Sequence, residues 1–157
     1  SEKRIFAAVT HFVYALDFAT GKPISSFGRD GRIDLREDVG RDPAKQSIIL
    51  TTPGVIYRDM IIVGGRVSEG LPCTPGDIRA YDVRTGKLRW SFHTIPQPGE
   101  ANFGTWAGDS WKTGGASTWN TGAYDPETNT LFWGTSNPWP DYNGDFRAGA
   151  GIGEGYW

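Results

Sequence analysis

Residues 79–92 read RAYDVRTGKLRWSF, and two other stretches echo them: YALDFATGKPISSF at 14–27 and GAYDPETNTLFWGT at 122–135. In each, an aspartate closes a strand, two residues follow, a turn forms and a second strand begins. Asp17 and Asp82 are placed to accept backbone N–H groups inside the turn. Gly21 and Gly86 suit the left-handed residue that ends it. Asn129 stands at that place in the third copy, and asparagine tolerates the same conformation. The aspartates are 65 and 43 residues apart. A period of about 40–50 residues with about four strands is a propeller blade. The longer spacing is absorbed by the polar excursion at 28–50.

Working outward, helical periodicity is nearly absent. Short β-branched and aromatic runs bounded by Gly, Pro, Asp and Asn predict strands near 4–8, 12–17, 23–27, 54–57, 60–64, 77–82, 87–93, 118–124 and 130–135. The segments 28–50 and 94–117 read as long loops, and such loops in a β array are usually functional or interface elements. The fold class expected is all-β: the outer half of one blade, one whole blade at about 52–93 and the inner half of a third. A closed propeller takes about four to eight blades, so the chain is expected to be part of one.

Composition fits a globular β protein. Glycine is 22 of 157 residues, about double the usual ~7%, which calls for many tight turns. Seven tryptophans point to repeated ring packing or to flat ligands. The formal net charge of -2 offers nothing to nucleic acid or an anionic membrane. The longest apolar runs are a few residues, such as MIIV at 60–63, so no membrane span is expected. Cys73 is the single cysteine, so no intrachain disulfide forms, and it reads as a loop thiol. The opening on RIFAAV suggests a processed or partial chain.

The stretch AYDVRTGKLRW at 80–90 resembles the tryptophan-docking repeat, A-x-D-x-x-T-G-x-x-x-W, of the pyrroloquinoline quinone (PQQ) dependent dehydrogenases, which are eight-bladed propellers. The copy ALDFATGKPIS keeps Ala15, Asp17, Thr20 and Gly21 but has Ser25 in place of the tryptophan, with Phe27 near enough to fill the gap. Three further stretches are similar to the methanol/ethanol-type quinoprotein alcohol dehydrogenases: TTPGVIYRDMIIVGGRVSEG at 51–70, WKTGGASTW at 111–119 and YDPETNTLFWGTSNP at 124–138. Some stretches also resemble relatives described as quinoprotein glucose dehydrogenases, which leaves the substrate open between an alcohol and a sugar.

The resemblance implies a role for particular residues. Glu69 would ligate calcium and touch the quinone. Asn137 would give an amide oxygen to the same ion. Trp119 would stack on the PQQ face. Thr51, Ser68 and Ser117 would hydrogen-bond the cofactor or line its pocket. The types suit the chemistry, since calcium prefers hard oxygen donors, an indole gives a broad rigid face, and the small residues of GGAS admit a close approach. The resemblance further implies a periplasmic oxidoreductase that passes electrons to a cytochrome c or a quinone. The family's catalytic aspartate lies downstream of anything present here, so no catalytic residue is assigned and the chain alone is expected to be inactive.

Other signals have simpler readings. DYNGD at 141–145 resembles the start of an EF-hand loop, but Ile152 stands where its glutamate belongs. GAGIGEG at 149–155 lacks the preceding strand of a dinucleotide loop. His11 and His93 read as strand residues. Residues 1–147 are expected to form the partial propeller and 148–157 an atypical tail. The competing class is a non-catalytic propeller scaffold, which has no need of Glu69, Trp119 and Asn137 together.

Overall fold

The computed structural model describes residues 3–140; the EF-hand-like stretch, the glycine-rich stretch and the tail lie outside them. Among the described residues there are eleven β-strands, three single-turn 3-10 segments and no α-helix. Strands β1 (Arg4–Val9), β2 (Phe12–Asp17) and β3 (Arg32–Asp34) form one antiparallel sheet in that order. Strands β4 (Ile48–Ile49) and β7 (Arg66–Val67) pair as a short ladder. Strands β5 (Val55–Tyr57), β6 (Met60–Val63), β8 (Ile78–Asp82) and β9 (Leu88–Phe92) form a four-stranded antiparallel meander, which is one complete blade. Strands β10 (Ala123–Asp125) and β11 (Thr130–Phe132) form a hairpin beyond it. The architecture is all-β and a partial propeller.

The repeat turns form as the residue types require. The Thr20 N–H donates to Asp17 Oδ1 at 2.8 Å, the Thr85 N–H to Asp82 Oδ1 at 2.8 Å and the Glu127 N–H to Asp125 Oδ1 at 2.9 Å. Gly21, Gly86 and Asn129 all have positive φ, at 68°, 70° and 53°.

Alternation along the strands explains why MIIV is apolar throughout. Ile61 and Val63 of β6 and Tyr81 of β8 join a cluster with Val13 and Ile33 of the first sheet and with Phe27 and Leu35 beside it. Ile62, Ile78 and Ala80 lie in a second cluster with Trp90, Leu131 and Trp133. The middle blade is therefore buried on both faces. Phe27 is fully buried and its ring lies 5.6 Å from that of Phe6, so an aromatic does occupy the core beside the position that lacks the repeat's tryptophan.

Blade docks on blade through the repeat itself. The Gly28 N–H donates to Thr85 O at 2.9 Å. The Arg4 guanidinium donates to Val83 O at 2.8 Å and Arg84 O at 2.9 Å. A Cβ on Gly86 would lie 2.7 Å from Gly28 N, so this glycine is required by close approach as well as by its φ.

The loop reading of 28–50 needs correction, as does the expected strand at 23–27. Pro23 makes only an isolated bridge to Leu16, and Arg32–Asp34 takes the edge beside β2 instead. Leu35, Val39 and Ile48 of the excursion are buried. Arg79 of β8, fully buried, holds the excursion down by donating to Leu35 O and Glu37 O, both at 2.7 Å.

Candidate quinone and metal site

Five segments meet at the end of the blade where β6 runs out. Gly65 and Thr118 exchange backbone hydrogen bonds at 3.2 and 2.9 Å, and Thr118 Oγ1 donates to Gly76 O at 2.7 Å. The Val67 N–H donates to Ser117 Oγ at 3.0 Å. The Ser136 N–H donates to Ser117 O at 2.8 Å, and the Ser117 N–H returns a bond to Ser136 Oγ at 2.9 Å. An antiparallel bridge joins Ala116 to Pro138, and the Trp139 N–H donates to Gly115 O at 2.8 Å. Thr52 Oγ1 donates to Trp119 O at 2.8 Å, and Thr51 Oγ1 reaches the same oxygen at 3.4 Å.

This lattice sets each expected residue in place. Ser68 and Glu69 directly follow Val67, which is tied to Ser117. Asn137 directly follows Ser136, tied to the same serine. Trp119 lies two residues further along and is anchored by Thr52. The segments bearing Glu69, Trp119 and Asn137 are laced together through Ser117. The Ser117 hydroxyl, expected to hydrogen-bond the cofactor or line its pocket, is 5% exposed and accepts the Val67 N–H. Thr52, not singled out from the sequence, makes the shorter bond to Trp119. Ser136 was also unforeseen; a serine just before Asn137 was the available signal.

The glycines of GGAST answer to the protein itself. A Cβ at Gly115 would fall 2.0 Å from Thr74 O, and one at Gly114 would fall 2.2 Å from the Trp106 ring. Small residues are needed there for chain to lie against chain.

Trp119 is 47% exposed, and Glu69, Asn137 and Thr51 are also exposed. Among the described residues, neither the Glu69 carboxylate nor the Asn137 carboxamide has a hydrogen-bond or ion-pair partner, and no group of three His, Cys, Asp or Glu side chains could hold a metal alone. The residues present fit the expected groups in kind. An uncovered indole face suits a planar ring, and a free carboxylate and a free amide oxygen suit calcium, which takes about six to eight oxygens. Glu69 and Asn137 supply only part of that set.

Cys73 lies in the loop between β7 and β8, as expected, and is buried there at 1% exposure. Its Sγ–H donates to Ser68 O at 2.9 Å, and burial pushes the thiol up to about 11. Asp77 is likewise raised by burial while accepting the Thr94 N–H at 3.0 Å. His11 and His93 sit just outside strands, in the turn after β1 and just after β9. His93 Nδ1 lies 2.8 Å from Glu100 Oε1. A cleft of about 320 Å³ opens nearby between Leu71, Trp106, Thr113 and Trp139.

The family model for the glucose/ethanol/alcohol dehydrogenase β-propeller domain of PQQ proteins matches residues 1–152. The quinohemoprotein alcohol dehydrogenase ADH IIB of Pseudomonas putida is 38% identical over 138 residues, covering 80% of this chain and 18% of that protein. The quinate/shikimate dehydrogenase (quinone) of Acinetobacter baylyi is 34% identical over 120 residues, covering 75% of this chain and 15% of that protein. The solved quinohemoprotein alcohol dehydrogenase of Comamonas testosteroni superposes with a TM-score of 0.69 at 25% identity, over 87% of this chain and 20% of that one. The ADHIIG enzyme of Pseudomonas putida superposes with a TM-score of 0.68 at 29% identity, over 86% and 20%. The chain thus spans about a fifth of the length of the proteins it matches, and with them it belongs to the glucose/ethanol/alcohol dehydrogenase β-propeller family of PQQ proteins.

Proposed function

We propose that this chain is the part of a longer PQQ- and calcium-dependent dehydrogenase that presents the quinone floor and two metal ligands. The observation that carries the reading is the lacing of three segments through Ser117, which leaves Trp119, Glu69 and Asn137 exposed beside one another's anchors. Bound PQQ would supply the two-electron acceptor for substrate oxidation, and calcium would act as its Lewis acid. The protein's own contribution is orientation. The indole of Trp119 supports the ring face. Glu69 and Asn137 hold the ion by oxygen. Thr51 and Ser68 stand ready to donate to the cofactor's carboxylates, while Ser117 fixes the frame.

The reaction proposed is oxidation of an alcohol, with electrons passed to a cytochrome c or a quinone in the periplasm. A cytochrome acceptor is supported by the name of a relative 36% identical over 119 residues, methanol dehydrogenase [cytochrome c] subunit 1 of Paracoccus denitrificans. A sugar or cyclic polyol is the second reading for the substrate, favoured by the quinate/shikimate relative. Among the described residues no helix is long and apolar enough to cross a membrane. We assign 1–147 to the propeller and 148–157 to a tail of different character.

The test is calcium-dependent PQQ binding to the full-length protein, read by quenching of tryptophan fluorescence, followed by dye reduction with alcohols and sugars in parallel. Binding should need calcium and weaken in Glu69→Gln. Equal binding with a chelator present and in Glu69→Gln would overturn the metal assignment, and no binding at all would leave the scaffold reading. The 157-residue chain alone should turn over no alcohol.

A further inference from the structure

Arg41 belongs to the 28–50 excursion, and its guanidinium reaches across to two loops that the proposed site depends on. It donates to Cys73 O in one loop, and to Trp111 O at 2.8 Å and Gly114 O at 3.0 Å in the other. Among the described residues no carboxylate lies within ion-pair distance of it. A partly buried cation is therefore satisfied by three main-chain carbonyls alone, and the planar fork of five N–H donors spans them from two separate nitrogens, where an ammonium would have to reach all three from one.

The two loops so joined also touch directly. The Cys73 N–H donates to Thr113 O at 2.8 Å, and the Ala116 N–H donates to Pro75 O at 3.0 Å. The packing of Gly115 on Thr74 O leaves no slack between them. Cys73 closes back on Ser68 through its thiol, so the first loop begins at Ser68 and Glu69. Gly114 stands five residues before Trp119 in the second.

We infer that Arg41 is a positioning residue that sets the first loop, with Glu69, against the second, with Trp119. Its role toward PQQ rests on the proposed function; its role in joining the loops does not. Arg41 touches neither ring nor metal and acts through the backbone of both loops.

The test uses the full-length protein and two variants, Arg41→Ala and Arg41→Lys, with two readouts. Hydrogen exchange at Cys73 and at 114–116 should quicken at least tenfold in Arg41→Ala while the β6 amides of Ile61–Val63 stay protected. Calcium-dependent PQQ affinity should fall about tenfold, the scale seen when groups that orient metal ligands are removed. Millimolar guanidinium should restore part of it. Arg41→Lys, which keeps the charge and stem, should fold normally and show the same two defects in milder form. Unchanged exchange at Cys73 in Arg41→Ala, or Arg41→Lys matching the wild type in both readouts, would overturn the inference. So would wild-type PQQ affinity in Arg41→Ala despite quickened exchange. A wild type that binds no PQQ refutes the cofactor reading alone, and the exchange measurement still decides whether Arg41 joins the loops.

Discussion

Val67 and Ser117 are fifty residues apart, yet the Val67 N–H donates to the Ser117 hydroxyl at 3.0 Å with both residues buried. That bond ties the strand leading to Glu69 to the segment leading to Trp119. Ser117→Ala would leave a buried N–H without a partner, a loss of about 1–3 kcal/mol. Urea unfolding should show this loss, and Ser117→Thr, which keeps the oxygen, should lose less. An alanine variant as stable as the wild type would mean that the bond contributes nothing.

Gly21 and Gly86 hold the same place in two copies of the repeat, at φ 68° and 70°, but their surroundings differ. A Cβ at Gly21 would meet nothing within 4 Å, whereas at Gly86 it would strike Gly28 N at 2.7 Å. Gly21→Ala should cost only the left-handed penalty, about 1–2 kcal/mol. Gly86→Ala should cost clearly more, since backbone must yield and the Gly28–Thr85 bond with it. Thermal melts of the two variants give the comparison, and equal losses would refute blade docking through Gly86.

The N–H of Thr85, first among several donors, holds the Asp82 carboxyl below its ordinary 3.8. The unfolded chain then binds that proton more tightly than the folded one. The stabilisation is complete above the unfolded value and is lost as pH falls through the folded one. Asp82→Asn should cost about 1 kcal/mol at pH 7, discounted for exposure. The difference from wild type should vanish in strong acid. A gap that persists there would mean that the charge is irrelevant.

Trp119 is half exposed, and its anchor is a bond from Thr52 to its backbone oxygen. Trp119→Ala keeps that anchor, so stability should change by under about 1 kcal/mol. Removing the stacking face should weaken PQQ binding about tenfold. Isothermal titration of the full-length variant measures it; unaltered affinity would remove the indole from the cofactor's floor.

The repeat was readable because each of its turns is a local device: Asp17, Asp82 and Asp125 bond amides within three residues. The edge strand at Arg32–Asp34 was not, because its partner β2 lies across a turn that Pro23 opens and Phe27 pulls into the core. No sequence window holds both. The same limit governed the site. Exposed Glu69, Trp119 and Asn137 stood out by resemblance, whereas Thr52, Ser136 and Arg41 act through backbone atoms far along the chain and leave no local pattern.

The Cys73 thiol sits at 1% exposure with its ionisation driven well above neutral. Few thiolates exist there at pH 7, so maleimides and iodoacetamides should pass it by. Within these 157 residues, a cysteine engineered onto an outer turn would then be the reactive one, without first replacing Cys73. Paired dyes or spin labels on the Asp30 and Glu127 turns could report directly how the first sheet and the last hairpin move when a cofactor binds.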